Sequence, residues 1–310
     1  MSVVQTAGSE HRESGRAYRP EMTDRGLCPS HEVTAVDEYG KDRIGHVAGE
    51  RALTLYLDDR EIVTLMTLGT HPELLTLGYL LNQRLVPCLE SVDSVEVNWD
   101  KGEVHVASFE RIADLDQKLK HRTVTTGCGQ GTAFGRIGDQ IEKIRLPRRT
   151  VSQSMIYRLL AQISDHNEVY KRAGAVHGCA ICRCDASDGA AIELFVEDVG
   201  RHNAADAISG FMWLNAIEGR DKWFYTTGRL TSEMVIKVAQ MQIPILLSRS
   251  GITYRGLELA RKIGVVLIAR AKGRHFLIYN GADQVEFDAI PQTKTTDRRQ
   301  HGPDPMRKQE

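Results

Sequence analysis

The sequence predicts an α/β protein, a sheet with helices on both faces preceded by a smaller α+β unit. From residue 174 on, short runs rich in β-branched and aromatic residues alternate with stretches of helical period, the rhythm of a sheet covered by helices. Upstream, two hairpin patterns flank one amphipathic helix. The chain has 310 residues, 41% of them hydrophobic, enough for one large domain or two modest ones with a substantial core.

In chain order, residues 1–45 are polar and charged without a sustained period, and read as a disordered tail. Residues 46–120 read as the small α+β domain. "ALTLYLDDREIVTLMTL" predicts two strands around Asp58-Asp59, and "VDSVEVNWDKGEVHVASF" a second hairpin around Asp100-Lys101-Gly102. Between them, Leu74, Leu77, Leu80 and Leu81 fall at helical spacing, with Pro72 suited to a first turn. The α/β domain, 121–288, begins with the glycine-rich "TVTTGCGQGTAFG" and a helix carrying Ile156, Leu159, Leu160 and Ile163. Two strands follow, "GAVHGCAICRCD" and "AAIELFVEDVG", joined through Ser187-Asp188-Gly189. Then come helix "NAADAISGFMWLNAI", strand "KWFYTTG", helix "TSEMVIKVAQM", strand "IPILLSR", helix "TYRGLELARKIG", and strands "VVLIAR" and "HFLIYN". The alternation predicts a largely parallel sheet. Residues 289–310 read as a second disordered tail.

Composition excludes some functions. A formal net charge of −1 gives no global pull toward nucleic acid or an anionic membrane. No stretch approaches the roughly 18 consecutive apolar residues of a membrane helix. The first residues lack the apolar region of a signal peptide. The expectation is a soluble, cytoplasmic protein.

In sheets of this kind, ligands bind outside the carboxyl ends of the strands. The predicted strand ends are alike: Glu197-Asp198-Val199-Gly200-Arg201-His202, Thr226-Thr227-Gly228-Arg229, Ser248-Arg249-Ser250-Gly251, and Arg270-Ala271-Lys272-Gly273-Arg274. Each combines glycine with arginine, and three run into helix starts, which together favour a polyanionic ligand. His202, with Asp206 one turn on, could act as acid or base, hydrogen-bond a phosphate, or simply cap a helix.

The six cysteines do not form a disulfide framework in a chain of this size. Cys179-x-x-Cys182 has half the spacing of a zinc site. In a strand, however, Cys179 shares a face with His177 while Cys182 and Cys184 lie on the other, so packing is the preferred reading over metal. Cys88 reads as packing and Cys28 as incidental. Cys128 stands in a glycine loop with nothing apolar to bury it. His121 and Arg122 upstream, with free N–H groups, could raise its thiolate fraction; the alternative is an inert turn.

In their order, "TTGCG", "AGAVHGC", "EDVGRHNAADA", "TTGRLTSEMV", "IPILLSRSG" and "ELARKIGVVLIARAKGRHFLIYNG" resemble the FdhD family of formate dehydrogenase accessory sulfurtransferases, over about residues 45–288. The resemblance implies a cytidine-deaminase-like domain with a mixed sheet, without the deaminase zinc, in a cytoplasmic homodimer. It implies sulfur taken from a cysteine desulfurase as a persulfide on Cys128. That sulfur would pass to the molybdenum cofactor, bis(molybdopterin guanine dinucleotide), bound as cargo on its way to the catalytic subunit of formate dehydrogenase. The family's cofactor-binding segment falls on Ile268, Ala269, Arg270, Ala271, Lys272, Gly273 and Arg274. Arg201, His202, Arg229 and Arg249 join it from the strand ends. Where many members carry a second cysteine in the loop, this chain has Gly131. A cofactor chaperone without sulfur transfer is therefore the alternative. A deaminase-like hydrolase lacks its His/Cys-x-Glu and Pro-Cys-x-x-Cys patterns, and a thiol redox protein lacks its partner cysteine.

Overall fold

Alternating apolar residues in the first third of the chain become a sheet that begins earlier than the sequence suggested. The computed structural model describes residues 18–112, 115, 123–124, 131–132, 144–185 and 189–291. β1 (Glu21–Met22) pairs in parallel with a strand at 92–98, and the Tyr18 hydroxyl donates to the Val92 carbonyl at 2.5 Å. β2 (Ser30–Val36) and β3 (Asp42–Ala48) form an antiparallel hairpin. The segment 18–45, expected to be disordered, thus carries structure. Its polar composition hid this because the hairpin keeps both faces largely exposed and needs no apolar period.

β4 (Arg51–Leu57) and β5 (Arg60–Thr67) turn at Asp58 and Asp59, both left-handed at φ 48° and 66°, a conformation aspartate tolerates better than most residues. α1 (Pro72–Asn82) opens on its proline, and β6 (Val92–Asn98) and β7 (Glu103–Ser108) form the second hairpin. The five strands order as β1-β6-β7-β4-β5. β8 (Thr123–Val124) and β9 (Gly131–Thr132) pair antiparallel, which brings together the two ends of the segment containing Cys128.

β10 (Val151–Ser152) leads into α2 (Gln153–His166), capped by the Ser152 hydroxyl accepting from Met155 N–H at 3.2 Å. Asn167 ends α2, the helix that carries Ile156, Leu159, Leu160 and Ile163, and a short second helix, α3 (Glu168–Ala173), follows it. The main sheet contains β11 (His177–Asp185), β12 (Gly189–Asp198), β13 (Lys222–Thr226), β14 (Ile245–Ser248), β15 (Val266–Lys272) and β16 (His275–Asn280), in the order β12-β11-β13-β14-β15-β16. β13, β14 and β15 are mutually parallel, while both edges close with antiparallel strands. The largely parallel sheet expected from alternation is therefore a mixed one, as the resemblance implied. The hairpins β11–β12 and β15–β16 reverse direction with no crossover helix between them. β17 (Val285–Glu286) returns to pair with β10.

α4 (Arg201–Leu214), α5 (Ser232–Gln240) and α6 (Tyr254–Ile263) cover one face, packing on Cys179, Ile181, Phe224, Leu246 and Leu267. α2 covers the other, against Ala180, Cys182, Trp223, Tyr225 and Leu247. The period-2 alternation of each strand divides these two sets. The first face is also where the N-terminal unit docks: α1 lies on α4 so closely that a Cβ on Gly78 would stand 1.7 Å from the Asp206 carbonyl oxygen. A Cβ on Gly210 would meet the Leu74 carbonyl at 2.0 Å. One apolar core runs through both units. No helix among the described residues is long and apolar enough to cross a membrane.

Candidate functional site: a cationic strand-end crevice

Sheet direction decides which residues meet. β13, β14 and β15 are parallel, so Thr226, Ser248 and the segment after Ala269 reach one edge together. β11 is antiparallel to β13, so its first residue, His177, lies at the same edge, in register with Asp198 at the end of β12. Hydrogen bonds stitch the loops together. Thr227 N–H donates to the Gly178 carbonyl at 2.8 Å and Gly178 N–H to the Thr227 hydroxyl at 2.9 Å. The Ser248 hydroxyl donates to the Gly228 carbonyl at 2.6 Å, Arg249 N–H to the Thr226 carbonyl at 3.1 Å, and Arg270 N–H to the Ser250 carbonyl at 2.9 Å. A rigid backbone ledge results, on which the basic side chains are mounted.

Arg201 is buried and its arm lies across Gly228, where a Cβ would come within 2.6 Å of Arg201 Cδ. Arg229 is exposed. Arg249 stacks its guanidinium 4.9 Å over the ring of Tyr170 on α3, a cation–π contact that orients it. Arg270 is exposed at a bulge between β15 and β16, with its side chain passing Gly251 and its own backbone left-handed at φ 55°. A left-handed arginine is uncommon, and such positions concentrate at functional sites. Lys272, Gly273 and Arg274 continue along the exposed β15–β16 turn, with Arg274 5.1 Å over the ring of Tyr157. Ile268, Ala269 and Ala271 are buried, so their side chains serve the core and only their backbone can face a ligand.

The edge carboxylates are already engaged. Glu197 accepts from Val169 and Tyr170 N–H at 2.8 and 2.9 Å, which fixes the start of α3. Asp198 accepts from the Thr67 hydroxyl at 2.5 Å, Leu68 N–H at 3.0 Å, Gly200 N–H at 2.9 Å and the Asn203 amide at 2.8 Å. Burial raises the Asp198 carboxyl above its usual range, with those four donors pulling the other way. His202 does not pair with Asp206. Its Nε2 meets Glu233 of α5 at 2.8 Å, and Asp206 is held by Lys237 and, at 2.6 Å, by the Asn82 amide. The sequence reading followed the i, i+4 spacing, but α4 packs with Asp206 turned toward α1 and α5. Burial pushes His202 down, against a raising contribution from Glu233.

One residue here was not among the sequence candidates. His177 is half-buried, its Nδ1 3.5 Å from the Thr227 hydroxyl. Burial pushes its pKa down, and Arg201, Arg249, His202 and Arg229 push it further, in that order. The signal was available: a strand antiparallel to its neighbours begins where they end, so the first residue of "HGCAICRCD" belongs with the strand ends.

The cysteines divide. Cys179 and Cys182 are fully buried on opposite faces, as strand alternation predicted, and Cys184 is partly buried. Burial raises the thiols of Cys179 and Cys184 to about 12, and that of Cys182 well above the usual range. Cys88, expected to pack, is exposed, because the chain turns outward after Pro87 into a short 3-10 turn that buries Leu89 instead. Cys128, with His121 and Arg122, lies outside the described residues.

Fold and edge define an α/β protein whose mixed sheet ends in an edge that carries several arginines. The chain belongs to the FdhD/NarQ family, which matches residues 48–286. It is 26% identical over 243 residues to a Wolinella succinogenes protein named sulfur carrier protein FdhD, covering 78% of this chain and 83% of that one. It is 27% identical over 237 residues to a Staphylococcus aureus protein of the same name, covering 76% and 88%. Its fold is similar to a crystal structure from Desulfotalea psychrophila described as that of a formate dehydrogenase accessory protein. There the TM-score is 0.64 at 24% identity, over 83% of this chain and 98% of that one.

Proposed function

We propose that this chain is a sulfur carrier in the maturation of formate dehydrogenase, with Cys128 as its persulfide site and the strand-end crevice as the seat of the molybdenum cofactor. The observation that carries the reading is the convergence of Arg201, Arg229, Arg249 and Arg270 on one edge whose carboxylates are already engaged. Bis(molybdopterin guanine dinucleotide), the substrate, bears two pyrophosphates, and planar guanidinium groups suit them. The names of the relatives support the sulfur-carrying half of the reading.

In the first step the Cys128 thiolate attacks the outer sulfur of a cysteine desulfurase persulfide. The S–S bond of the donor breaks, the desulfurase thiolate leaves, and Cys128–S–SH forms. In the second, the S–S bond of Cys128–S–SH breaks, the outer sulfur would pass to the metal, its proton goes to solvent and Cys128 leaves as thiolate. The sulfur arrives at oxidation level zero, so the two electrons of the new sulfido ligand come from the metal centre. Gly131, where many relatives hold a second cysteine, offers no thiol for that role. The crevice contributes proximity, fixing the cargo while the loop delivers.

The test is intact-mass and peptide spectrometry after incubation with a cysteine desulfurase and cysteine, without reductant. The expected result is a reductant-sensitive gain of one sulfur on Cys128, absent in Cys128→Ala. Gly131 favours a second reading, a chaperone that binds the cofactor and transfers nothing. Loading of a two-cysteine relative but not of this chain would establish that instead.

A further inference from the structure

We propose that His177 is a ligand of the crevice that takes up one proton when a polyanion binds, coupling cargo binding to pH. The inference rests on the reading of the edge as an anion site, and adds a residue and a regulation to it. His177 opens β11 at the edge where the strands end, and is half-exposed there. Among the described residues, the Thr227 hydroxyl is the side chain in reach of its ring, at 3.5 Å from Nδ1. That hydroxyl already accepts from Gly178 N–H and keeps its own proton to give to Nδ1 of a neutral imidazole.

The charged groups around the ring come from every neighbouring element. α4 supplies Arg201 and His202, the loop after β13 supplies Arg229, and the loop after β14 supplies Arg249. On the acidic side, Asp198 pairs in register but gives its oxygens to Thr67, Leu68, Gly200 and Asn203, Glu197 caps α3, and Glu233 is taken by His202. No carboxylate among them is left to hold His177 charged. Without an anion bound, the loss of water and the cationic field keep it neutral. An anion among the same arginines reverses the sign of that field, and the imidazole gains a proton from solvent with no change in any electron count. Binding then tightens as pH falls through the histidine range, by up to about tenfold per pH unit.

Calorimetric titration of the full chain with P1,P2-diguanosine diphosphate separates the possibilities, because this pyrophosphate diester has no group of its own that titrates near neutral pH. Two buffers of unequal ionisation heat, compared at one pH near 7, give the number of protons taken up. The wild-type chain is expected to take up close to one proton and to bind more tightly at pH 6 than at pH 8. His177→Gln is expected to bind as the wild type does at pH 8 and to lose the gain at pH 6. Zero uptake with normal binding overturns the role of His177 and leaves the anion site standing, and uptake that persists in His177→Gln does the same. No binding at either pH removes the anion site, and the inference with it. Zero uptake by the wild-type chain overturns the role of His177 even if the variant does not fold.

Discussion

Arg270 offers a perturbation whose two consequences have opposite signs. Its backbone is left-handed at φ 55°, which costs an L-residue roughly 1–2 kcal/mol relative to ordinary strand geometry. Arg270→Gly removes that strain, while the added freedom of glycine in the unfolded chain costs back about 0.4–1 kcal/mol. The net expectation is a protein as stable as the parent or more stable by about 1 kcal/mol, a rise in Tm of no more than ~4 °C at this size. Binding moves the other way. A guanidinium on a phosphate makes charge-assisted hydrogen bonds of about 1.5–3 kcal/mol, so its loss weakens binding of a pyrophosphate diester by about 30-fold. Arg270→Lys keeps strain and charge but not the planar fork, and falls between. Thermal unfolding and calorimetric titration on the same three samples suffice. Stability gained with no loss of binding would make Arg270 an ordinary turn residue. A clear loss of stability would show that its side chain holds the bulge together, against the reasoning here.

Two further outcomes test the frame around the crevice. Gly78→Ala puts a methyl 1.7 Å from the Asp206 carbonyl oxygen, a backbone atom that cannot rotate away. A loss of about 3 kcal/mol in denaturant unfolding is expected, at the upper end for overpacking; a neutral result would mean that α1 and α4 are not in contact as described. Alkylation of the native protein at pH 8 should label Cys28 and Cys88 while sparing Cys179 and Cys182 until denaturant is added, as mapped by peptide mass. Native labelling of Cys179 would show that the strand edge opens.

Much of this was readable from local pattern. The strands and helices from 177 to 280 follow from period alone, and the strand-end arginines from the rule that places ligands at carboxyl edges. What pattern could not supply was direction and partner. The pairings β11–β12 and β15–β16 are antiparallel because only a few residues connect each pair, too few for a crossover, and this converts the parallel sheet expected from alternation into a mixed one. The same reversal brings His177 to the crevice, which a reading of strand ends alone passes over. Helical spacing puts Asp206 within one turn of His202, yet the partner of His202, Glu233, is 31 residues away on another helix, a contact only packing decides. The β2–β3 hairpin was invisible for a different reason: with both faces exposed, its residues carry no alternation.

The way the N-terminal unit is attached bears on what the crevice needs. α4 contributes Arg201 to the site at its first turn, so the placement of that guanidinium depends on how the helix is held along its length. Gly78 and Gly210 let α1 approach it to backbone contact, and the buried Asp206–Lys237 pair with Asn82 ties α1, α4 and α5 together at the middle. At the crevice end, Thr67 and Leu68, the end of β5 and the residue after it, supply two of the four donors that occupy Asp198. Without them a buried carboxylate would lose half its partners beside Gly200, at the foot of α4, and would compete with an incoming anion for the arginines. The N-terminal sheet thus acts on the site in two ways, by fixing the helix that carries Arg201 and by keeping the buried Asp198 carboxylate at the edge satisfied.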